Sequence, residues 1–135
     1  MSDEEARAFW ERARAALEAA KRNLAIDTAT AANRAYYAAF YAVSGLFALE
    51  GKTSKKHSGV ESLVHRDLVK PGRWPTDLGS DYRFLGRLRV EGDYDMTASV
   101  TPEGSRSAVE KACRILEAVR QERPDVFGNM PLNPK

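Results

Sequence analysis

Residues 28–51 read TATAANRAYYAAFYAVSGLFALEG, and this stretch decides the fold. Ala31, Ala35, Ala38, Ala39, Ala42, Val43 and Leu46 recur every three or four residues, the period of an α-helix. Asp27 or Thr28 can cap its start, and Gly51 can take the left-handed position that ends it. The helix is apolar on nearly every side, so it belongs in the centre of the molecule, where its alanines let neighbouring helices approach closely.

The flanking segments supply those neighbours. Upstream, Ser2 and Glu5 have capping-box spacing, and Phe9, Ala13, Ala16, Leu17, Ala20 and Leu24 form one apolar stripe, which predicts a helix from about Asp3 to Ile26. Downstream, GKTSKKH (51–57) is too polar and basic for anything but a loop. Ser58 and Glu61 repeat the capping-box spacing, and Val60, Leu63, Val64 and Leu68 predict a short helix stopped at Pro71-Gly72. A further helix runs from Thr76 through Leu78, Tyr82, Leu85 and Leu88, weakened by glycines at 79, 86 and 92. Thr101-Pro102 forms an N-cap and N1 pair for a last helix through Ala108, Val109, Ala112, Ile115, Leu116 and Val119, which must end by Pro124.

No segment alternates with the two-residue period of a strand, and no long repeat is visible. The expected fold is therefore an all-α, antiparallel helical bundle of about five helices, with one domain over residues 1–123 and a loose C-terminal tail over 124–135. The 135 residues are 43% hydrophobic and 30% charged, the balance of a globular domain. A single cysteine and two histidines exclude a disulfide framework and a structural zinc site, so no metal or cofactor is expected. The N-terminus MSDEEARAFWERAR lacks the apolar core of a signal peptide, and no run approaches the roughly 20 apolar residues of a membrane span. These features predict a cytoplasmic protein with no membrane partner. Formal net charge is only +2, so any basic face must be local.

Three segments can carry chemistry. Within the central helix, Asn33, Tyr37 and Tyr41 share one stripe and Arg34 flanks it; they either fill space with polar tips at the rim or line a polar cleft. In RLRVEGDYD (87–95), either Arg87 and Arg89 face solvent at a helix end or Arg89, with Tyr94 five residues on, brackets a phosphate. Residues 52–73 hold six cations (Lys52, Lys55, Lys56, Arg66, Lys70, Arg73) against two carboxylates (Glu61, Asp67), with His57 at the start of a helix. That segment is either solvated loop charge or an anion site. His65 reads as a surface histidine, and Cys113, beside Ala112 and Leu116, as an inert core residue. No Walker loop, dinucleotide fingerprint, HExxH or Ser-His-Asp pattern is present.

Taken in order, NRAYYAAFYA, KKHSGV and GDYD ahead of a last amphipathic helix resemble the HEPN superfamily, specifically its UPF0332 branch, over roughly residues 5–122. The resemblance implies a helical homodimer encoded beside a minimal nucleotidyltransferase partner in toxin–antitoxin or stress-response pairs. Many such relatives are metal-independent RNases with an Arg-x4-6-His motif. Here Arg89 matches the arginine, Tyr94 stands at the histidine position and Asp93 precedes it. A phenol of pKa near 10 is a poor base at pH 7, so this departure predicts slow or absent cleavage.

The resemblance thus assigns catalytic roles to Arg89, Tyr94, Asp93 and His57, and RNA or nucleotide binding to Asn33, Arg34, Tyr37, Tyr41, Lys55 and Lys56. Three readings stand: a weak metal-independent endoribonuclease, a non-catalytic nucleotide- or nucleic-acid-binding module, and a helical adaptor.

Overall fold

The computed structural model describes residues 2–94, 100–129 and 132. Among them the chain forms α1 (Ser2–Asn23), α2 (Thr28–Leu49), α3 (His57–Leu63), a π-helical turn (Val64–Val69), α4 (Thr76–Tyr94), α5 (Pro102–Glu122) and α6 (Pro124–Phe127), and no strand. This is the all-α antiparallel bundle that the periodicity implies. α2 lies at its centre, packed on α1 along most of its length and on α5 and α4 on its other sides.

Close packing follows from small residues where helices meet. Ala31, Ala35, Ala38, Ala39 and Ala42 are all buried in α2 against Ala6, Ala13 and Ala20 of α1 and Ala108 and Ala112 of α5. A Cβ at Gly45 would stand 3.1 Å from both the Ala6 carbonyl oxygen and the Phe9 Cβ, so glycine sets the distance between α1 and α2.

The caps explain the boundaries. Asp27 Oδ1 accepts from the Ala29 and Thr30 amides at 3.1 and 3.4 Å and opens α2. The preceding residues must turn the chain, so α1 ends at Asn23 and not at Ile26, which is left exposed. At the other end Gly51 adopts φ +71°, and the Lys52 and Gly51 amides donate to the Phe47 and Ala48 carbonyls, a Schellman ending. In α5, Thr101 Oγ1 accepts from the Gly104 amide at 2.9 Å, as its N-cap and Pro102 imply. The Thr28 hydroxyl donates to the Val100 carbonyl at 2.6 Å, pinning the start of α5 to the start of α2.

Four expectations are corrected. α3 begins two residues early, at His57, with Lys56 in place of Ser58 as N-cap and no side-chain cap, so the Ser58–Glu61 capping box does not form. The residues after Leu63 are π-helical, the Lys70 amide donating to the His65 carbonyl five residues back, which keeps Val64 and Leu68 in the core. His65 is half-buried, with its Cε1 3.4 Å from where a Cβ on Gly79 would lie.

The segment read as a loose tail packs over 124–129. Val126 and Phe127 are buried, and Phe127 meets Trp10 at 5.1 Å between ring centroids. Arg120 donates to the Gly128 carbonyl at 3.1 Å. An apolar edge left on α1 gives the tail a surface to cover, which a period-based reading cannot see. The Ser2 side chain falls outside the described residues.

Glycines 79 and 86 act differently from mere helix breakers. A Cβ at Gly79 would lie 2.8 Å from Val69 Cγ2, whereas at Gly86 the nearest atom is Glu61 Oε1 at 3.5 Å, an ordinary contact. Gly79→Ala is expected to destabilise the fold by about 1–3 kcal/mol through overpacking. Gly86→Ala is expected to be neutral or stabilising by up to about 1 kcal/mol through helix propensity. Urea denaturation of the two variants checks the contrast.

Candidate functional site

The most polar constellation lies where α2, α3 and α4 meet. Ser54 folds the 51–56 loop against α3, accepting from the Lys56 amide at 3.3 Å, and a Cβ on Gly59 would collide with its hydroxyl. This seats His57, the first residue of α3, over the aromatic face of α2. Its ring lies 4.6 Å from Phe40, 5.5 Å from Tyr36 and 5.6 Å from Tyr37, centroid to centroid. Its Nδ1 is hydrogen-bonded to the Tyr36 hydroxyl at 2.8 Å.

From α4, the Arg89 guanidinium lies 4.9 Å from the centre of the Tyr36 ring, a cation–π contact. Gly86, one turn earlier, brings α4 close enough that its Cβ position would be 3.8 Å from Tyr36. Together His57, Tyr36 and Arg89 line an open groove of about 630 Å³, with Glu61 and Ser62 of α3 and Arg83 and Arg87 of α4 along its walls.

Burial and charge set the protonation states. Tyr36 is almost wholly buried, and desolvation pushes its phenol up to about 12, only partly offset by its neighbours. Fully buried Tyr82 is held well above the usual phenol range, again chiefly by desolvation. Its hydroxyl interacts with Tyr36 while falling short of hydrogen-bond geometry. His57 is lowered from its ordinary 6.5, first by desolvation and then by the Arg89 cation. At neutral pH the groove therefore presents a neutral imidazole and a guanidinium, backed by two buried, protonated phenols.

The polar stripe expected on α2 forms beside this groove. Asn33 Oδ1 accepts from Arg34 Nε and Nη2 at 3.1 and 2.9 Å, and Arg34 lies 4.8 Å from the Tyr37 ring centre. Tyr37 in turn contacts Tyr41 at 5.8 Å. Through Tyr37 the stripe touches His57, so Asn33, Arg34, Tyr37, Tyr41, His57 and Arg89 form one connected surface.

Lys55 and Lys56 are exposed and do not line the groove. Asp93 and Tyr94 belong to the last turn of α4, and their side chains fall outside the described residues.

The basic 52–73 segment differs from the anion site it could have been. Lys52 pairs with Glu50 and Asp67 at 3.2 and 3.0 Å, Arg66 is bidentate on Asp67, and Arg73 bridges Glu50 and Glu122 at 2.7 and 3.0 Å. Carboxylates thus neutralise Lys52, Arg66 and Arg73. Cys113 is buried in α5 and its thiol is pushed up by desolvation, away from nucleophilic chemistry. Among the described residues no group of three His, Cys, Asp or Glu could hold a metal ion, and no helix is long and apolar enough to cross a membrane.

Sequence reading missed Tyr36, Glu61 and Arg83 as groove residues, and Tyr82 as the buried phenol behind Tyr36. The available signal was Tyr36 itself: a phenol on a helix buried on all sides needs a partner for its hydroxyl, and that partner marks a site.

Comparisons with known proteins agree with the fold. The HEPN domain model matches residues 6–122. A Thermotoga maritima protein named "UPF0332 protein" is 36% identical over 115 residues, covering 84% of this chain and 87% of that protein. A Methanocaldococcus jannaschii protein named "Putative toxin MJ0142" is 28% identical over 81 residues, 60% of this chain and 55% of that protein. The crystal structure of TT1696 from Thermus thermophilus superposes with a TM-score of 0.76 at 27% identity, covering 87% of this chain and 98% of the other. On a family match spanning the whole bundle, with a relative similar over most of its length, the chain belongs to the HEPN domain family.

Proposed function

We propose that this protein is a toxin-like HEPN component that binds single-stranded RNA or a nucleotide in the groove between α2, α3 and α4. One observation carries the reading: His57, Tyr36 and Arg89, from three helices, converge on one open groove. A guanidinium and an imidazole suit a phosphate, and the neighbouring Tyr37 and Tyr41 rings offer faces on which an unstacked base can lie. The toxin named among its relatives is consistent with this role.

A homodimer, with grooves of two protomers side by side, and a minimal nucleotidyltransferase as partner protein complete the proposal; both come from the family resemblance. The rival reading, a helical adaptor, gives no reason for a histidine and an arginine to meet on a buried phenol.

Three outcomes test the proposal. Binding of a single-stranded oligoribonucleotide should weaken as salt rises, and Arg89→Ala should weaken it further. The slope of log affinity against log salt should become shallower by about 0.7, the loss of one phosphate contact. Unchanged affinity and slope in that variant would return Arg89 to a structural role.

Cleavage of the same oligonucleotide should be slow or absent at about pH 7, because Tyr94 stands where a histidine would exchange protons, and any activity should persist in chelator.

Nuclear magnetic resonance titration should place the His57 pKa below its ordinary 6.5, and Arg89→Gln should raise it partway, since burial remains. A histidine whose folded value is depressed binds fewer protons folded than unfolded. Its contribution to stability is therefore complete above 6.5 and is lost as the pH falls through the folded value.

A further inference from the structure

Tyr36 is 2% exposed, and the one hydrogen-bond partner of its hydroxyl among the described residues is His57 Nδ1, at 2.8 Å. One hydrogen lies between these atoms, and it can belong to either. If Nδ1 carried it, the phenolic hydrogen of Tyr36 would have to turn elsewhere in a buried site. The polar neighbour it would meet is the Tyr82 hydroxyl, which is fully buried and would then have no acceptor for its own hydrogen among the described residues.

If the phenol donates to Nδ1, the order is consistent. The Tyr82 hydrogen turns toward the Tyr36 oxygen, the Tyr36 hydrogen toward Nδ1, and the imidazole keeps its hydrogen on Nε2. The buried Tyr36 donor then has its acceptor in Nδ1, the condition that buried polar groups obey, while the Tyr82 hydroxyl points toward the Tyr36 oxygen without reaching hydrogen-bond geometry.

The opposite edge of the ring is the one the groove meets. Nε2 has no partner among the described residues and is accessible, in a groove also lined by Arg89 and by Arg83 and Arg87. Arg89 from α4 and Glu61 from α3 are the charged groups beside the Tyr36–His57 pair. The nearby guanidinium disfavours a second proton on the ring.

We propose that Tyr36 fixes His57 as the neutral Nε2–H form, so that the groove offers a phosphate an imidazole N–H donor beside the Arg89 guanidinium, and His57 binds phosphate and does not act as a base. Tyr36 is then a positioning residue acting through His57. The ligand half of this inference rests on the phosphate-binding reading of the groove; the hold of Tyr36 on the ring does not.

The experiment separates the two halves. In the full-length protein labelled with nitrogen-15, long-range proton–nitrogen correlations at about pH 8, where the ring is neutral, should show His57 Nε2 as the protonated nitrogen and Nδ1 as an acceptor. In Tyr36→Phe both signals should move toward the mixed values of an unrestrained imidazole. A protonated Nδ1 in the wild type, or no change in Tyr36→Phe, overturns the positioning role.

Titration with inorganic phosphate should then shift the Nε2–H signal. His57→Gln, which keeps an N–H donor but cannot take up a proton, should hold phosphate within about threefold of wild type, whereas His57→Ala should lose about tenfold, the scale of one charge-assisted hydrogen bond. Equal losses in Gln and Ala overturn the donor role. No phosphate response at all, with the Nε2–H form present, overturns the phosphate reading of the groove and leaves Tyr36's hold on the ring standing.

Discussion

A helix buried on nearly every side tolerates a polar side chain only where that group finds a partner, and α2 imposes this condition on everything around it. Its alanines bring α1, α4 and α5 into close contact, and Gly45 removes the last obstacle between α1 and α2. Into this tightly packed element the sequence places Tyr36, whose phenol cannot reach water. Burying it unpaired would cost on the order of 1–3 kcal/mol. His57 relieves that cost, and so the 51–56 loop, the start of α3 and the line of α4 are all constrained to meet at one point.

The distribution of charge follows the same division of labour. On one side, Lys52, Arg66 and Arg73 close against Glu50, Asp67 and Glu122, joining the end of α2, the π-helical turn and the end of α5. Such pairs, mostly open to solvent, are individually weak. Their effect is to neutralise a segment that looked like a basic patch. On the other side, Arg83, Arg87 and Arg89 line the groove with Glu61 as the one carboxylate of its lining among the described residues. The positive charge is therefore a matter of the groove lining and not of α4 as a whole, which carries four acidic residues, Asp77, Asp81, Glu91 and Asp93, beside those three arginines.

The bundle was legible because its signals are local. Apolar spacing, Asp27 and Thr101 as caps, and glycine at 51 each act within a few residues of where they are read. The site was legible in part. His57, Arg89 and the Asn33–Tyr37–Tyr41 stripe stood out by composition, but nothing local says that His57 would lie over Tyr36 or that Lys55 and Lys56 would stay outside the groove. Those outcomes depend on how α3 and α4 cross α2, a matter of long-range packing. The same limit explains the tail: VF at 126–127 is too short to show a period, and only its contact with Trp10 of α1 makes it a docking element.

The π-helical turn at Val64–Val69 can be regarded as a store of chain length. It carries one residue more than an α-turn making the same progress, the equivalent of a single insertion absorbed without breaking the helix. A one-residue deletion within α2 would rotate every later side chain by about 100° and expose its core face. Within 64–69 the same deletion can be met by relaxing to ordinary α geometry. Length variation among chains of this architecture should therefore be tolerated between α3 and α4 well before it is tolerated in the central helix.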